Sequence, residues 1–172
     1  MKLKYFSPCH RQIGSFDSSI PDFKRYWEEQ LNLDVKRHLC AGYVLLTDSE
    51  DDVIGYFTLS QNSVERDRDD NEKGTYVRTP ATLLGRLAVN KKYEKQGYGK
   101  ELIKSILNLH LKVSRTIGSA VLILKPLEEA RGFYNRLQLF SDYGGYLCIK
   151  TKKIKRFIEE LEKSRLTIID VS

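Results

Sequence analysis

Cysteine is scarce in this chain and nowhere patterned: Cys9, Cys40 and Cys148 are odd in number and far apart, with no Cys-x-x-Cys or Cys/His spacing. That excludes a disulfide framework and a thiolate metal site, and reduced, partly buried thiols without a chemical role are expected. Histidine is as rare, at His10, His38 and His110, and no motif surrounds any of them, so no metal is expected. Long apolar runs are missing too. None approaches the ~20 residues of a membrane span, and Met1-Lys2-Leu3-Lys4 lacks the apolar segment of a secretory signal. A cytoplasmic protein without membrane association is therefore expected. No internal repeat exists, and the one biased stretch, Glu65 to Lys73 (ERDRDDNEK), has no apolar residue; it reads as an exposed, mobile loop.

What the chain does have is a core's worth of apolar residues. At 172 residues, 41% apolar, with ten Tyr and seven Phe, it is long enough for one domain with a proper core. The formal charge of +6 gives a moderate attraction to phosphate-rich partners, compatible with RNA, with an anionic cofactor, or merely with solubility. Its placement says more. Lys24, Arg25, Lys36 and Arg37 come early, Arg78, Arg86, Lys91, Lys92, Lys95 and Lys100 surround one glycine-bearing turn, and Lys150 to Arg156 form a late cluster.

Periodicity predicts the elements. Ser15-Phe16-Asp17-Ser18 reads as a polar cap ahead of a helix whose apolar face is Phe23, Tyr26, Trp27 and Leu31. Ala41 to Thr47 and Val53 to Ser60 read as a hairpin across a short acidic turn. Leu83 to Val89 is a third strand, and Lys100 to Val113 a helix with Leu102, Ile103, Ile106, Leu109 and Val113 on its buried side. Ser119 to Leu124 reads as a strand, Leu127 to Leu137 as a helix with Glu128 and Glu129 in its first turn, Gly145 to Thr151 as a strand, and Ile154, Phe157, Ile158 and Leu161 as the stripe of a last helix. The sum is mixed α/β, an antiparallel first half followed by βαβα.

The most informative stretch is Leu83 to Ile103, LLGRLAVNKKYEKQGYGKELI. A strand ends, and Gln96-Gly97-Tyr98-Gly99-Lys100 leads into a helix. Such a turn points several free backbone N–H groups at one spot, where the helix dipole also favours negative charge. Glycine allows the close approach of a diphosphate and the left-handed angles of an anion nest. The spacing is neither that of a nucleotide P-loop nor GxGxxG.

Glu94-Lys95-Gln96-Gly97-Tyr98-Gly99 instead resembles the acyl-CoA loop of the GNAT acetyltransferases, Gln/Arg-x-x-Gly-x-Gly/Ala, with Glu94 departing at the first position. A carboxylate there is unfavourable to a diphosphate unless it points outward; Lys95 and Lys100 offset it. Phe16-Asp17, Gly55 to Ser60, Leu84 to Val89 and Glu129 to Tyr134 follow in the order of the same family. More narrowly they resemble the acetyltransferase toxins of bacterial toxin–antitoxin pairs. A second departure is Gln138-Leu139, where the helix ending would be Gly-Phe.

The resemblance implies a GNAT fold over residues 1–151: a mostly antiparallel twisted sheet, helices on both faces, and a V-shaped splay between two central strands. Residues 152–172 would be a helical extension packed on the same domain, although its stripe suits either a cap or a partner. It also implies acetyl-CoA as donor, its pantetheine arm paired with the backbone of Leu87, Ala88 and Val89 and its diphosphate held by Lys95, Gln96, Gly97, Tyr98, Gly99 and Lys100. Val89 would support the oxyanion and Tyr134 would be the proton donor. A phenol with a pKa of about 10 stays protonated at neutral pH and can still serve a thiolate.

The implied acceptor is the α-amine of aminoacyl-tRNA, with a small antitoxin of ribbon-helix-helix type and a homodimer as further partners. Arg86, which interrupts a strand that should be apolar, either pairs with a carboxylate or, helped by Lys36, Arg37 and Arg78, grips acceptor phosphates. Two rivals stand beside this reading: a GNAT enzyme acting on a small amine or a protein N-terminus or lysine, and a non-catalytic module that binds CoA or protein. No general base can be named, and an α-amine next to an ester has a neutral fraction near pH 7 without one.

Overall fold

A computed structural model describes residues 1–65 and 77–169. Among the described residues seven strands form one sheet in the order β1 (Lys2–Tyr5), β2 (Ala41–Leu46), β3 (Val53–Glu65), β4 (Arg78–Val89), β5 (Val121–Leu124), β7 (Tyr146–Lys150), β6 (Ser141–Tyr143), a mixed α/β architecture, and the chain divides into two units, Met1–Gln61 with Leu83–Ile106 and Asn62–Thr82 with Leu107–Ser172.

In the first unit the expected hairpin forms as β2 (Ala41–Leu46) and β3 (Val53–Glu65), antiparallel, with Ala41 opposite Leu59. Its strands are β-branched and aromatic, and β3 runs on past Ser60 to Glu65. An unexpected strand, β1 (Lys2–Tyr5), pairs antiparallel with β2 from Lys2↔Leu46 to Tyr5↔Tyr43. Four mostly exposed residues carry too little alternation to be read as a strand; pairing with β2 creates it.

The first helix corrects the sequence reading. It begins at Pro21, not after Ser18, with Ile20 in the cap position and no side-chain cap. Proline fixes φ for the first helical position and has no N–H to leave unpaired. The segments α1 (Pro21–Arg25) and α2 (Leu31–Lys36) are joined by a π-helical turn, Tyr26–Gln30. That turn includes buried Trp27 and leads into buried Leu31. Phe6, Phe16, Trp27, Leu31, Val44, Leu46, Val53, Tyr56 and Ala88 make one core cluster, each large side chain contributing about 1.5–3 kcal/mol by leaving water. Phe16, taken as part of a cap, is core: its ring lies 5.1 Å from those of Trp27 and Tyr56.

Strand β4 (Arg78–Val89) starts earlier than Leu83, and helix α3 (Tyr98–Thr116) is longer at both ends than expected. In the second unit, β5 (Val121–Leu124) is buried throughout and pairs antiparallel with β7 (Tyr146–Lys150), Leu124 opposite Leu147. The Ala120 N–H donates to Pro80 O at 2.9 Å. Helix α4 (Glu128–Leu137) ends where expected, but on Gln138 at φ 54°, a left-handed position for which glycine is the usual residue. A short strand, β6 (Ser141–Tyr143), was missed; Gly144 and Gly145, at φ 54° and 83°, turn it into β7. Helix α5 (Thr151–Ile169) buries Ile154 and Ile158 and half-buries Phe157 and Leu161, the stripe read from the sequence. Among the described residues no helix is long and apolar enough to cross a membrane. The ERDRDDNEK stretch lies outside the described residues apart from Glu65.

Candidate functional site

The turn between β4 and α3 has the features of an anion seat. Lys95 has φ 60° and Gly97 φ 91°, and nothing lies within 4 Å of where a Gly97 side chain would project. The first two hydrogen-bonded donors of the helix are Lys100 and Glu101, both to Gly97 O, at 2.9 and 3.4 Å. The N–H groups of Lys95, Gln96, Gly97, Tyr98 and Gly99 donate to no acceptor among the described residues. Unpaired donors in succession at a helix start favour a bound anion. Neither the Lys95 nor the Lys100 ammonium pairs with a carboxylate among the described residues. The residues therefore fit a diphosphate.

Two tethers fix this turn, and the sequence reading identified neither of them. Asn90, 2% exposed, donates its amide to Ser15 O and Val53 O, both at 3.0 Å, and its N–H to Ile54 O at 2.8 Å. In the 3₁₀ turn that follows (Lys91–Tyr93), the Tyr93 hydroxyl donates to Asp52 Oδ2 at 2.6 Å and Lys92 pairs with the same carboxylate. Burial works against ionised Asp52, but Lys92 and Tyr93 hold its carboxyl below the usual range, while the bond to Asp52 pushes the Tyr93 phenol up to about 12. Beside these, the Glu94 carboxylate accepts from the Ser19 hydroxyl at 2.8 Å and the Ser19 N–H at 3.4 Å. The departing residue thus turns to Ser19. A polar residue just after a strand is a weak signal for such a role, and long-range partners such as Asp52 and Ser19 give none.

Along β4, Gly55 lies against Ala88 O and Val89 Cα, and Gly85 against Thr58, so β3 and β4 run antiparallel. Successive peptide groups of a strand face opposite edges. The Ala88 carbonyl faces Gly55 in β3 and Asn90 N–H also serves β3; the groups of Leu87 and Val89 are directed away from β3. The Ala88 carbonyl therefore lies on the β3 side of the strand.

Arg86 forms no ion pair among the described residues. Its guanidinium lies 4.9 Å from the ring centroid of Tyr26, with Nη1 donating to Gly85 O at 3.0 Å. Tyr26 is fixed by donating to Asp34 Oδ2 at 2.8 Å, and its own phenol is pushed up chiefly by burial, then by Asp34. A planar cation stacked on a phenol keeps outward donors for phosphate. Lys36 and Arg37, at the end of α2, are exposed.

Tyr134 and Arg78 belong to the second unit. Tyr134 is 7% exposed, its ring edge-on to Phe133 at 5.1 Å and Phe140 at 5.7 Å. Its hydroxyl has no hydrogen-bond partner among the described residues, yet the sole sealed and unpartnered side-chain polar atom among them is His110 Nδ1. The phenol oxygen is therefore open to solvent at the tip of a buried ring. Burial raises its pKa, so it holds its proton across the neutral range. Arg78 is occupied by Ser63, with Nε to Oγ at 2.8 Å and Nη2 to the carbonyl at 2.7 Å; it lies eight residues from Arg86 along β4. His110 is wholly buried; its Nε2 is 2.7 Å from Thr151 Oγ1, and burial lowers its pKa to about 4. The three cysteines are free thiols, but Cys9 is exposed, not partly buried. No group of His, Cys, Asp or Glu among the described residues has the arrangement to hold a metal ion.

Residues 7–138 match the model of the acetyltransferase (GNAT) family. The chain is similar to a tRNA-acetylating toxin of Mycobacterium tuberculosis, with 26% identity over 129 residues, 71% of this chain and 74% of that protein. A tyrosine-to-phenylalanine mutant of KacT superposes with a TM-score of 0.80 at 25% identity, covering 91% of this chain and 98% of its own. Two structures of AtaT share the fold at a TM-score of 0.79. AtaTR bound with AcCoA is 23% identical, over 91% of this chain and 97% of that one. AtaT complexed with acetyl-methionyl-tRNAfMet is 22% identical, over 91% and 98%.

Proposed function

Because the chain belongs to the acetyltransferase (GNAT) family, we propose that it transfers the acetyl group of acetyl-CoA to the α-amine of an aminoacyl-tRNA and so blocks translation. The observation that carries the donor assignment is the unbroken row of N–H groups from Lys95 to Gly99, flanked by the ammonium groups of Lys95 and Lys100, none of which has a partner among the described residues. The acceptor assignment is supported by the relatives that act on or bind tRNA and by the net positive charge.

When bound, acetyl-CoA supplies an activated acyl carbon on a thioester. The chain's part is to hold and to complete. The Lys95–Gly99 amides bind the diphosphate, and Leu87, directed away from β3, offers backbone groups to the pantetheine arm. The Val89 N–H, fixed before reaction, suits the developing oxyanion, where one such donor contributes about 3 kcal/mol. Tyr134 gives its proton to the departing sulfur as the new C–N bond forms and the C–S bond breaks. Water takes the proton of the amine, because an ester carbonyl beside it leaves a neutral fraction near pH 7. Arg86, stacked on Tyr26, holds acceptor phosphate, helped by Lys36 and Arg37; Arg78 adds charge farther along β4. The enzyme works in the cytoplasm as a homodimer, with residues 152–172 packed on the catalytic domain, and is restrained by a small antitoxin of ribbon-helix-helix type.

The test offers charged tRNA, a polyamine and a peptide in parallel with labelled acetyl-CoA. Label on the aminoacyl group of tRNA supports the reading. Label confined to the polyamine or peptide assigns the chain to another acceptor, and no thiol release with any of them removes catalysis altogether.

A further inference from the structure

A carboxylate one residue ahead of the Lys95–Gly99 amides is an intramolecular rival for the anion they would bind. Glu94 is that carboxylate, only half-buried, and its backbone N–H donates to Lys91 O at 3.3 Å, so the main chain at this position is fixed while the side chain retains its own freedom. What directs the side chain is Ser19, in the segment leading into α1. The serine's hydroxyl and N–H both donate to it, at 2.8 and 3.4 Å, one to each carboxylate oxygen. The serine itself is oriented by its neighbours: Asp17 Oδ1 accepts the Ser18 N–H at 3.0 Å, and Ser18 Oγ accepts the Ile20 N–H at 3.2 Å.

We propose that Ser19 is a positioning residue for donor binding, holding the Glu94 carboxylate away from the diphosphate seat. The inference rests on the reading that the seat binds coenzyme A. With the clasp intact, the negative charge of Glu94 is directed at Ser19 and partly neutralised by its two donors. Without it, the carboxylate is free to approach the same amides and to repel the diphosphate. Two like charges ~7 Å apart in water differ from an isolated pair by roughly threefold in a binding constant, more where solvent is excluded. The clasp acts through charge, so its loss matters only to a ligand that carries the diphosphate and only while residue 94 is anionic.

The test is a double-mutant cycle read by titration calorimetry with coenzyme A and, in parallel, with pantetheine, which has no diphosphate. Ser19 is exposed, so Ser19→Ala leaves the fold intact. For coenzyme A, Ser19→Ala should raise Kd about threefold or more, Glu94→Gln should leave Kd equal or lower it, and Ser19→Ala/Glu94→Gln should match Glu94→Gln alone. For pantetheine no variant should differ from the unaltered chain. An equal loss from Ser19→Ala in both backgrounds, or a loss with pantetheine, would assign Ser19 an ordinary structural role and overturn the proposal. If the unaltered chain binds coenzyme A and Ser19→Ala binds it equally, this inference alone fails. If the unaltered chain gives no binding, the assignment of the seat fails and the inference with it.

Discussion

Tyr134→Phe separates chemistry from structure because the structure gives its hydroxyl nothing else to do. The ring keeps its edge contacts with Phe133 and Phe140, and the lost oxygen leaves no partner unpaired, since none bonds to it among the described residues. Folding stability should therefore change by no more than ~0.5 kcal/mol, and Tm by no more than a few degrees. The diphosphate seat contains no part of this side chain, so Kd for acetyl-CoA should hold within about twofold. Turnover is another matter. A positioned general acid is worth at least ~10²-fold, about 2.7 kcal/mol in the barrier, and phenylalanine has no proton to give. Initial rates of thiol release at saturating acetyl-CoA, with calorimetry and a thermal melt on the same sample, measure all three. Unchanged turnover would show that the phenol does no acid catalysis, and a fall in turnover matched by a fall in Tm would show that it packs the core. Because burial raises the pKa of Tyr134 above that of a free phenol, its acid form should also persist through pH 10.

Gly97→Ala meets no steric obstacle, but its φ of 91° is strained for a residue with a side chain, by about 1–2 kcal/mol; relief of that strain re-aims the amides, and Kd for coenzyme A should rise about tenfold by calorimetry, an unchanged value contradicting the seat. Burial lowers the His110 pKa to about 4, below the ordinary imidazole value of about 6.5, so the unfolded chain binds more protons between those pH values. Stability should be full above about pH 6.5 and fall as the pH drops toward 4, and chemical denaturation across that window should show a shallower loss in His110→Gln. Arg86→Ala should weaken tRNA binding and reduce the slope of log K against log salt by about one, whereas an unchanged slope in filter binding would remove Arg86 from the phosphate contacts.

Strong local signals made much of this fold legible. The hairpin of β2 and β3, the buried face of α3 and the glycine turn each rest on periodicity or a required backbone angle, which a short window of sequence contains. Strand β1 was not legible, because Lys2–Tyr5 becomes a strand only by pairing with β2. The start of α1 misled for a related reason: Phe16 looked like part of a cap and is drawn into the core by Trp27 and Tyr56. Gly144-Gly145 could have revealed β6, since two glycines in succession are a hairpin turn signal. At the candidate site the donors were readable and their supports were not. Glu94 was legible as a departure, but its answer is Ser19, 75 residues away. Asn90 and Asp52 hold the turn through contacts between distant segments, which no spacing announces.

Amide hydrogen exchange across the turn, with and without acetyl-CoA, tests the central claim at the atoms that make it. The account predicts that the amides of Lys95, Gln96, Gly97, Tyr98 and Gly99 exchange freely in the unliganded chain and become protected together on addition of acetyl-CoA. Protection that appears elsewhere while these amides go on exchanging would contradict it.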